Sequence, residues 1–321
     1  MDPLPTLAEI ESITAFIDSV VPPTPQFEWP LLSARARCEL WVKHENHAPI
    51  GSFKVRGALQ YFARLAQRTP NLRGVIAATR GNFGQAVAFA ASRHCIPATI
   101  VVPHGNSREK NAAMRALGGE LIEHGDDFQA ALEHAEHLAT ERSLHFVPSF
   151  HRDLAWGNAV STLRFLRSTP LLARVYVPIG LGSGICGMIA ARDALGLSTR
   201  IVGVASEHTM GIALSFAARR IVTSTVATRI ADGMACSTPN AEALAHILRG
   251  VERIAVVTDD EIEAAMRAWF ADTHNVAEGA AGAGLAAVLR DRDLNAGQRI
   301  GVVFTGGNVD REVFARVLAA G

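Results

Sequence analysis

A chain of 321 residues, 49% hydrophobic and 19% charged, has room for about two domains and the composition of an ordinary globular protein. Its 31 Lys and Arg balance 31 Asp and Glu, so a net charge of zero gives no electrostatic case for nucleic acid or an acidic membrane. A small molecule is the expected partner. No apolar run reaches the ~18–20 residues of a membrane span, and the start has neither a basic nor an apolar signal region, so a cytoplasmic enzyme is expected. Cys38, Cys95, Cys186 and Cys236 form no C-x-x-C pair and read as buried reduced thiols.

The first 45 residues predict one amphipathic helix over 7–20, a Pro-rich turn over 21–25 and a strand over 38–43. From Gly74 onward short β-branched runs alternate with longer helical patterns. Strands are expected at 74–78, 97–102, 120–123 and 144–147, with helices at 84–92, 107–117 and 128–140 between them. A second series places strands at 174–178, 200–205, 253–257 and 299–304 and a closing helix at 311–320. This alternation implies an α/β protein of two doubly wound parallel-sheet units. No repeat, low-complexity tract or linker divides them, which fits one unit inserted into the other. Ligands of open sheets sit beyond the carboxyl ends of the strands, so those loops are where a site is sought.

After strand 174–178 comes Ile179-Gly180-Leu181-Gly182-Ser183-Gly184-Ile185-Cys186-Gly187, then a helix. Glycines let an anion approach backbone N–H groups, and the helix start adds partial positive charge, so a phosphate is the natural guest. The same residues also satisfy a dinucleotide fingerprint, with Glu207 as ribose acid, or serve close packing alone. Strand 74–78 runs into Thr79-Arg80-Gly81-Asn82-Phe83, which reads as a carboxylate receptor or as a simple helix cap. Strand 299–304 is followed by Thr305-Gly306-Gly307-Asn308. Upstream lies Gly51-Ser52-Phe53-Lys54-Val55-Arg56-Gly57-Ala58, where Lys54 between Phe53 and Val55 is either a desolvated amine nucleophile or an ordinary solvated lysine.

Taken in order with Ile230-Ala231-Asp232-Gly233, these segments resemble the threonine/serine dehydratase branch of the fold-type-II pyridoxal-phosphate enzymes, which also contains serine racemase. The resemblance spans nearly the whole chain and sets aside the dinucleotide reading, which leaves Lys54, Asn82 and Thr305 unexplained. It implies two α/β domains with pyridoxal 5'-phosphate in the cleft between them: a large one of residues 1–50 and 147–321, and a small one, 51–146, inserted in it. By that resemblance Lys54 is the catalytic residue and carries the cofactor as a Schiff base, with Phe53 beside the ring and Gly233 near it. Gly180, Leu181, Gly182, Ser183 and Gly184 would hold the phosphate, and Asn82 the phenolic oxygen. Ser52, Thr79, Arg80, Gly81, Asn82 and Phe83 would bind the substrate, the stretch from Thr79 to Phe83 receiving its α-carboxylate. Thr305 would face the pyridine nitrogen. A hydroxyl there leaves the ring uncharged, a weaker electron sink that favours β-elimination over transamination. The implied activity is a homodimeric ammonia-lyase that converts threonine, serine or a similar β-hydroxy-α-amino acid to a 2-oxo acid and ammonia. The alternatives are 3-hydroxyaspartate as substrate, racemisation or β-replacement, and cofactor binding without catalysis.

The chain also departs from that family. Phe83 stands where the relatives usually have His, and Arg80 where serine racemase has its second acid/base Ser; an arginine cannot be that base. Arg80 reads either as a partner for a second substrate carboxylate or as a structural ion pair. Ala205 replaces the first metal-ligand Glu of the metal-responsive members, so no divalent-cation site like theirs is expected. Glu278-Gly279-Ala280 resembles a segment lining the cofactor or supplies a helix N-terminal acid. His44-x-x-His47 and His134-x-x-His137 lack a third ligand and read as structural or surface residues. With little sequence after the second unit, feedback control through an added regulatory domain is not expected.

Overall fold

The chain begins with a helix that its own sequence caps. Thr6 accepts a hydrogen bond from the Glu9 N–H, the Glu9 carboxylate accepts one from the Thr6 N–H, and α1 runs over Leu7–Val20. The computed structural model describes residues 3–320; Met1, Asp2 and Gly321, the outer ends of the expected large domain, lie outside the described residues. Before residue 45 the sequence predicts no second helix, yet β1 (Gln26–Glu28) and α2 (Pro30–Ala36) precede β2 (Glu39–His44). Pro30 opens α2, where its missing N–H is not needed, and Arg37 closes it in a left-handed conformation at φ 56°. Two turns are too short for helical periodicity to register.

After α3 (Lys54–Arg68) the first series runs β3 (Val75–Ala78), α4 (Asn82–Ser92), β4 (Ala98–Val102), α5 (Arg108–Ala116), β5 (Glu120–Glu123), α6 (Phe128–Glu141) and β6 (His145–Phe146). Its strands form a parallel sheet in the order β5-β4-β3-β6. Next comes α7 (Arg152–Ser168), followed by β7 (Arg174–Pro178), α8 (Ser183–Ala194), β8 (Arg200–Ser206), α9 (Gly211–Ala218) and α10 (Ala241–Gly250). The chain closes with β9 (Arg253–Val257), α11 (Asp259–Thr273), α12 (Gly279–Arg290), β10 (Arg299–Phe304) and α13 (Arg311–Ala319). The second sheet has the order β1-β2-β10-β7-β8-β9. It is parallel except for β1, which pairs antiparallel with β2 at the edge. The α/β class with two wound parallel sheets is therefore as expected, while β1 is an addition and the strand expected at 144–147 shortens to two residues. Strand order reverses where β10 meets β7, which puts a crevice at their carboxyl ends.

One buried apolar set joins the sheets, running from Val75 and Ile100 through Leu154 and Ala159 of α7 to Val175 and Ile201. A second, around Trp269, fills the outer face of the larger sheet, and a third lies between the smaller sheet and α6. Cys38 and Cys186 are buried, but Cys95 is exposed at φ 52° and Cys236 is only half-buried, so the expectation of four buried thiols holds for two. His44 is buried and bonded to Trp29 Nε1 at 2.9 Å, and His134 stacks on His124. Among the described residues no three His, Cys, Asp or Glu are grouped to hold a metal ion, and no helix is long and apolar enough to cross a membrane.

The start of α3 is locked against α7 by glycines on both helices. A Cβ on Gly157 would lie 2.2 Å from the Arg56 carbonyl oxygen, and one on Gly57 would lie 2.6 Å from that of Leu154. The Gly57 N–H donates to Asn158 Oδ1 at 3.1 Å. Below that turn the buried Glu45 carboxylate accepts from Arg56 Nε at 3.0 Å, from Thr24 Oγ1 at 2.6 Å and from Ser161 Oγ. Arg56 gives further N–H bonds to the carbonyls of Val21 and Pro22. Burial alone would raise the Glu45 carboxyl, but Arg56, Lys43 and the two hydroxyls outweigh it and hold the carboxyl at about 2. Glu45→Gln would leave Arg56 unpaired in the interior and should cost ~3–5 kcal/mol in denaturant unfolding. The depressed carboxyl stabilises the fold fully above its unfolded value of ~4.3. That contribution drains as pH falls from there through about 2. Wild-type protein should show this acid loss of stability and Glu45→Gln should lack that component.

Candidate active site

A cleft of about 910 Å³, open mouth included, lies beyond the carboxyl ends of β3, β7 and β10. It gathers Phe53, Lys54, Thr79, Arg80, Gly81, Asn82, Phe83, Gly180, Leu181, Gly182, Ser183, Gly184, Gly233 and Thr305. Of the residues expected at the site only Ser52 is outside this lining. Ser52 forms an isolated antiparallel bridge with Gly306 and is fully buried, with its Oγ lacking a hydrogen-bond partner. Glu207, the alternative ribose acid, is exposed beside His208 and away from the cleft.

Lys54 is the first residue of α3, its Nζ 5.0 Å from the Phe53 ring centroid and 6.0 Å from that of Phe83. Burial lowers the pKa of its amine, against a smaller opposing pull from Cys236 and Glu278. The helix start adds partial positive charge, which further disfavours the ammonium form. Phe83, standing in place of a histidine, gives this amine an apolar wall with no proton to exchange. Both effects make the uncharged amine, the form a nucleophile or base needs, easier to reach than in a solvated lysine.

The glycine loop turns sharply. Gly182 sits at φ 106° as the residue before α8, and a Cβ on Gly180 would come within 2.6 Å of the Gly233 carbonyl oxygen. The Ser183 and Gly184 N–H groups fall in the first turn of α8, where a helix has no carbonyl behind to accept them. This is an anion cradle made of backbone. At the end of β10 the buried Thr305 Oγ1 has no hydrogen-bond partner, and its carbonyl accepts from the Phe53 N–H at 3.0 Å.

In the loop after β3, Thr79 takes the capping role weighed for it. Its hydroxyl accepts from the N–H groups of Gly81 at 3.0 Å and Gly84 at 3.3 Å. Asn82 is no cap; it is the first helical residue, and its N–H and that of Phe83 lie in the first turn of α4, free of any preceding carbonyl. The Asn82 amide is engaged at both ends, donating to Glu278 Oε1 at 2.7 Å and accepting from Asn308 Nδ2 at 2.8 Å. These bonds tie the loop of the smaller sheet to the larger one.

Three residues in the cleft were not singled out from the sequence or were left ambiguous. Glu278 precedes α12 without capping it; its buried carboxyl is pushed up by desolvation, against Lys110 and the Asn82 hydrogen bond, and Oε2 has no hydrogen-bond partner. Burial pushes the thiol of Cys236 up to about 11, so it is neutral beside Lys54. Lys110, in the first turn of α5, reads in the sequence as one more charge in Arg108-Glu109-Lys110, and only its place shortly after the end of β4 marks it.

A family profile described as pyridoxal-phosphate dependent enzyme matches residues 17–306. The chain is 31% identical, over 98% of its length, to an L-threonine ammonia-lyase of Thermotoga maritima, of which it covers 79%. It is 28% identical, again over 98% of its length, to an L-threo-3-hydroxyaspartate ammonia-lyase of Saccharomyces cerevisiae, of which it covers 97%. Among solved structures, a pyridoxal 5'-phosphate-dependent aspartate racemase superposes with a TM-score of 0.91 at 28% identity, over 97% of this chain and 98% of that one.

Gly180→Ala would drive the loop off the turn at Asp232–Met234 and should weaken pyridoxal-phosphate binding at least ~10-fold, about 1.4 kcal/mol, in an absorbance titration. The circular-dichroism spectrum should stay that of the wild type.

Proposed function

Because the chain belongs to the pyridoxal-phosphate-dependent enzyme family, we propose that it is an ammonia-lyase that converts a β-hydroxy-α-amino acid such as threonine or serine to a 2-oxo acid and ammonia. The observation that carries this is a desolvated lysine amine in one cleft with a backbone anion cradle and an unpartnered threonine hydroxyl. Those three groups fit the cofactor. Lys54 would hold its aldehyde carbon, Gly180 to Gly184 its phosphate, and Thr305 its ring nitrogen through a neutral hydrogen bond, with Phe53 beside the ring. When bound, the cofactor supplies the electron sink for the charge left at Cα after proton loss.

The chain's own residues do the remainder. The first-turn N–H groups of Asn82 and Phe83 orient the α-carboxylate. The Lys54 amine, freed when the substrate's own amine takes its place on the cofactor, would remove the Cα proton and hold it, helped by the burial that lowers its pKa. Phe53 and Phe83 keep water away from that amine. The β-hydroxyl would leave as water with the proton Lys54 holds, and the enamine, once released, tautomerises and is hydrolysed by water to the 2-oxo acid and ammonia. Arg80, always protonated, offers no second base, which favours elimination over racemisation.

The relatives named for L-threonine and for L-threo-3-hydroxyaspartate support this substrate class. The same reading includes a cytoplasmic homodimer, supported by the family resemblance alone. It also includes a small domain of residues 51–146 inserted in a large one, supported by a four-stranded sheet drawn wholly from that segment. Borohydride reduction of the holoenzyme should fix a pyridoxyl adduct on Lys54, found by peptide mass analysis. Lys54→Ala should lose 2-oxo acid formation by at least roughly 10²–10⁴-fold. Retained turnover in that variant would refute the proposal.

A further inference from the structure

We infer that the substrate's side chain ends in a second carboxylate, held between Arg80 and Lys110, so that the favoured substrate is a four-carbon β-hydroxy-α-amino dicarboxylic acid, a 3-hydroxyaspartate. This deepens the ammonia-lyase reading and rests on it.

Both cations come from the smaller sheet's loops and line the same cleft as Lys54. Lys110 is 8% exposed at its side chain, yet its closest carboxylate oxygens are 3.6 Å away on Glu278 and 3.9 Å away on Asp232. Arg80 reaches Asp232 only at 3.9 Å, and its buried Nε has no partner. These separations exceed the about 2.7–2.9 Å of a closed charge-assisted hydrogen bond. Asp232, 35% exposed on its short turn, thus serves two cations loosely and satisfies neither. The other acid, Glu278, already accepts a hydrogen bond from Asn82 at 2.7 Å and keeps 3.6 Å from Lys110, so it does not close on either cation.

Other anions have their own receptors. The glycine loop that would take the phosphate rises from the larger sheet, and the α-carboxylate has the first-turn N–H groups of α4. What stays open is a place for a third anion, flanked by a guanidinium and an ammonium. A methyl group there, as in threonine, would leave both cations with only their long contacts to Asp232 and Glu278, and a site built on polar partners rejects an analogue that lacks them far more strongly than an apolar pocket rejects an extra methylene. Gly81 supports the arrangement sterically: a Cβ on it would lie 2.5 Å from Lys110 Cδ, so the loop bearing Arg80 and the stem of Lys110 are in direct contact.

Two measurements on the holoenzyme test this, each with wild type, Arg80→Gln and Lys110→Met. In steady-state assays of ammonia release, threo- or erythro-3-hydroxyaspartate should exceed threonine in kcat/KM by at least about 10²-fold. Arg80→Gln should erase that preference by lowering kcat/KM for the dicarboxylic substrate far more than for threonine. In binding titrations followed by the absorbance of the bound cofactor, succinate should bind at least about tenfold tighter than butyrate, and either substitution should remove the difference. Equal binding of succinate and butyrate overturns the inference whatever the turnover results. A succinate preference without ammonia release from any hydroxy amino acid overturns the ammonia-lyase reading and supports the carboxylate site. Equal turnover of threonine and 3-hydroxyaspartate, unchanged by Arg80→Gln, keeps the lyase and overturns the inference.

Discussion

The chemistry of this protein hangs on how the first turn of α3 is fixed. Lys54 begins that helix, and two residues later Arg56 enters a buried ion pair with Glu45, while Gly57 and Gly157 bring the backbones of α3 and α7 into direct contact. An ion pair replaced whole by apolar groups often costs nothing, but one partner removed leaves the other charged and dry. The arrangement is therefore less a source of stability than a strict specification of place. It sets an amine at a helix start, within an apolar wall, where both burial and the helix field make the uncharged form easier to reach.

The two sheets divide the work by the kind of group they offer. The larger sheet contributes neutral donors: the backbone N–H groups after β7 and the Thr305 hydroxyl after β10. Such donors hold an anion or a ring nitrogen without changing its protonation. The smaller sheet contributes the N–H groups of α4 together with the charges of Arg80 and Lys110. Neutral donors on one side and the charged side chains of Arg80 and Lys110, with Asp232 and Glu278 near them, on the other make the two sides of the cleft electrostatically unlike.

Much of this was legible in the sequence, for reasons that differ by residue. Glycines directly after strands and before helices are local signals, and the loops at Gly180 and Thr305 are read from a few neighbours each. α1 declares itself by its capping box and its periodic apolar face. α7 carried no comparable signal, because almost all its faces are buried, packed against α8, α3 and α1, and a helix covered all round loses the polar stripe that marks a surface helix. Lys110 and Asp232 acquire meaning only once β4 and the turn before α10 are brought to the same cleft, a relation between residues over a hundred positions apart. Ser52 depends on a relation of the same kind: its motif names the neighbourhood, while its burial and its bridge to Gly306 exist only in the fold.

Asn82 joins the lobes by one amide, shared between Glu278 and Asn308. Fastenings of this sort contribute ~0.5–1.5 kcal/mol each, or ~1.5–3 where one partner is charged. That is about one to five times thermal energy for each bond. Asn82 does not act alone, since Ser107 and the N–H groups of Arg108 and Glu109 bind Asp310, so a change at position 82 alters the seam between the loops of the two sheets without releasing it.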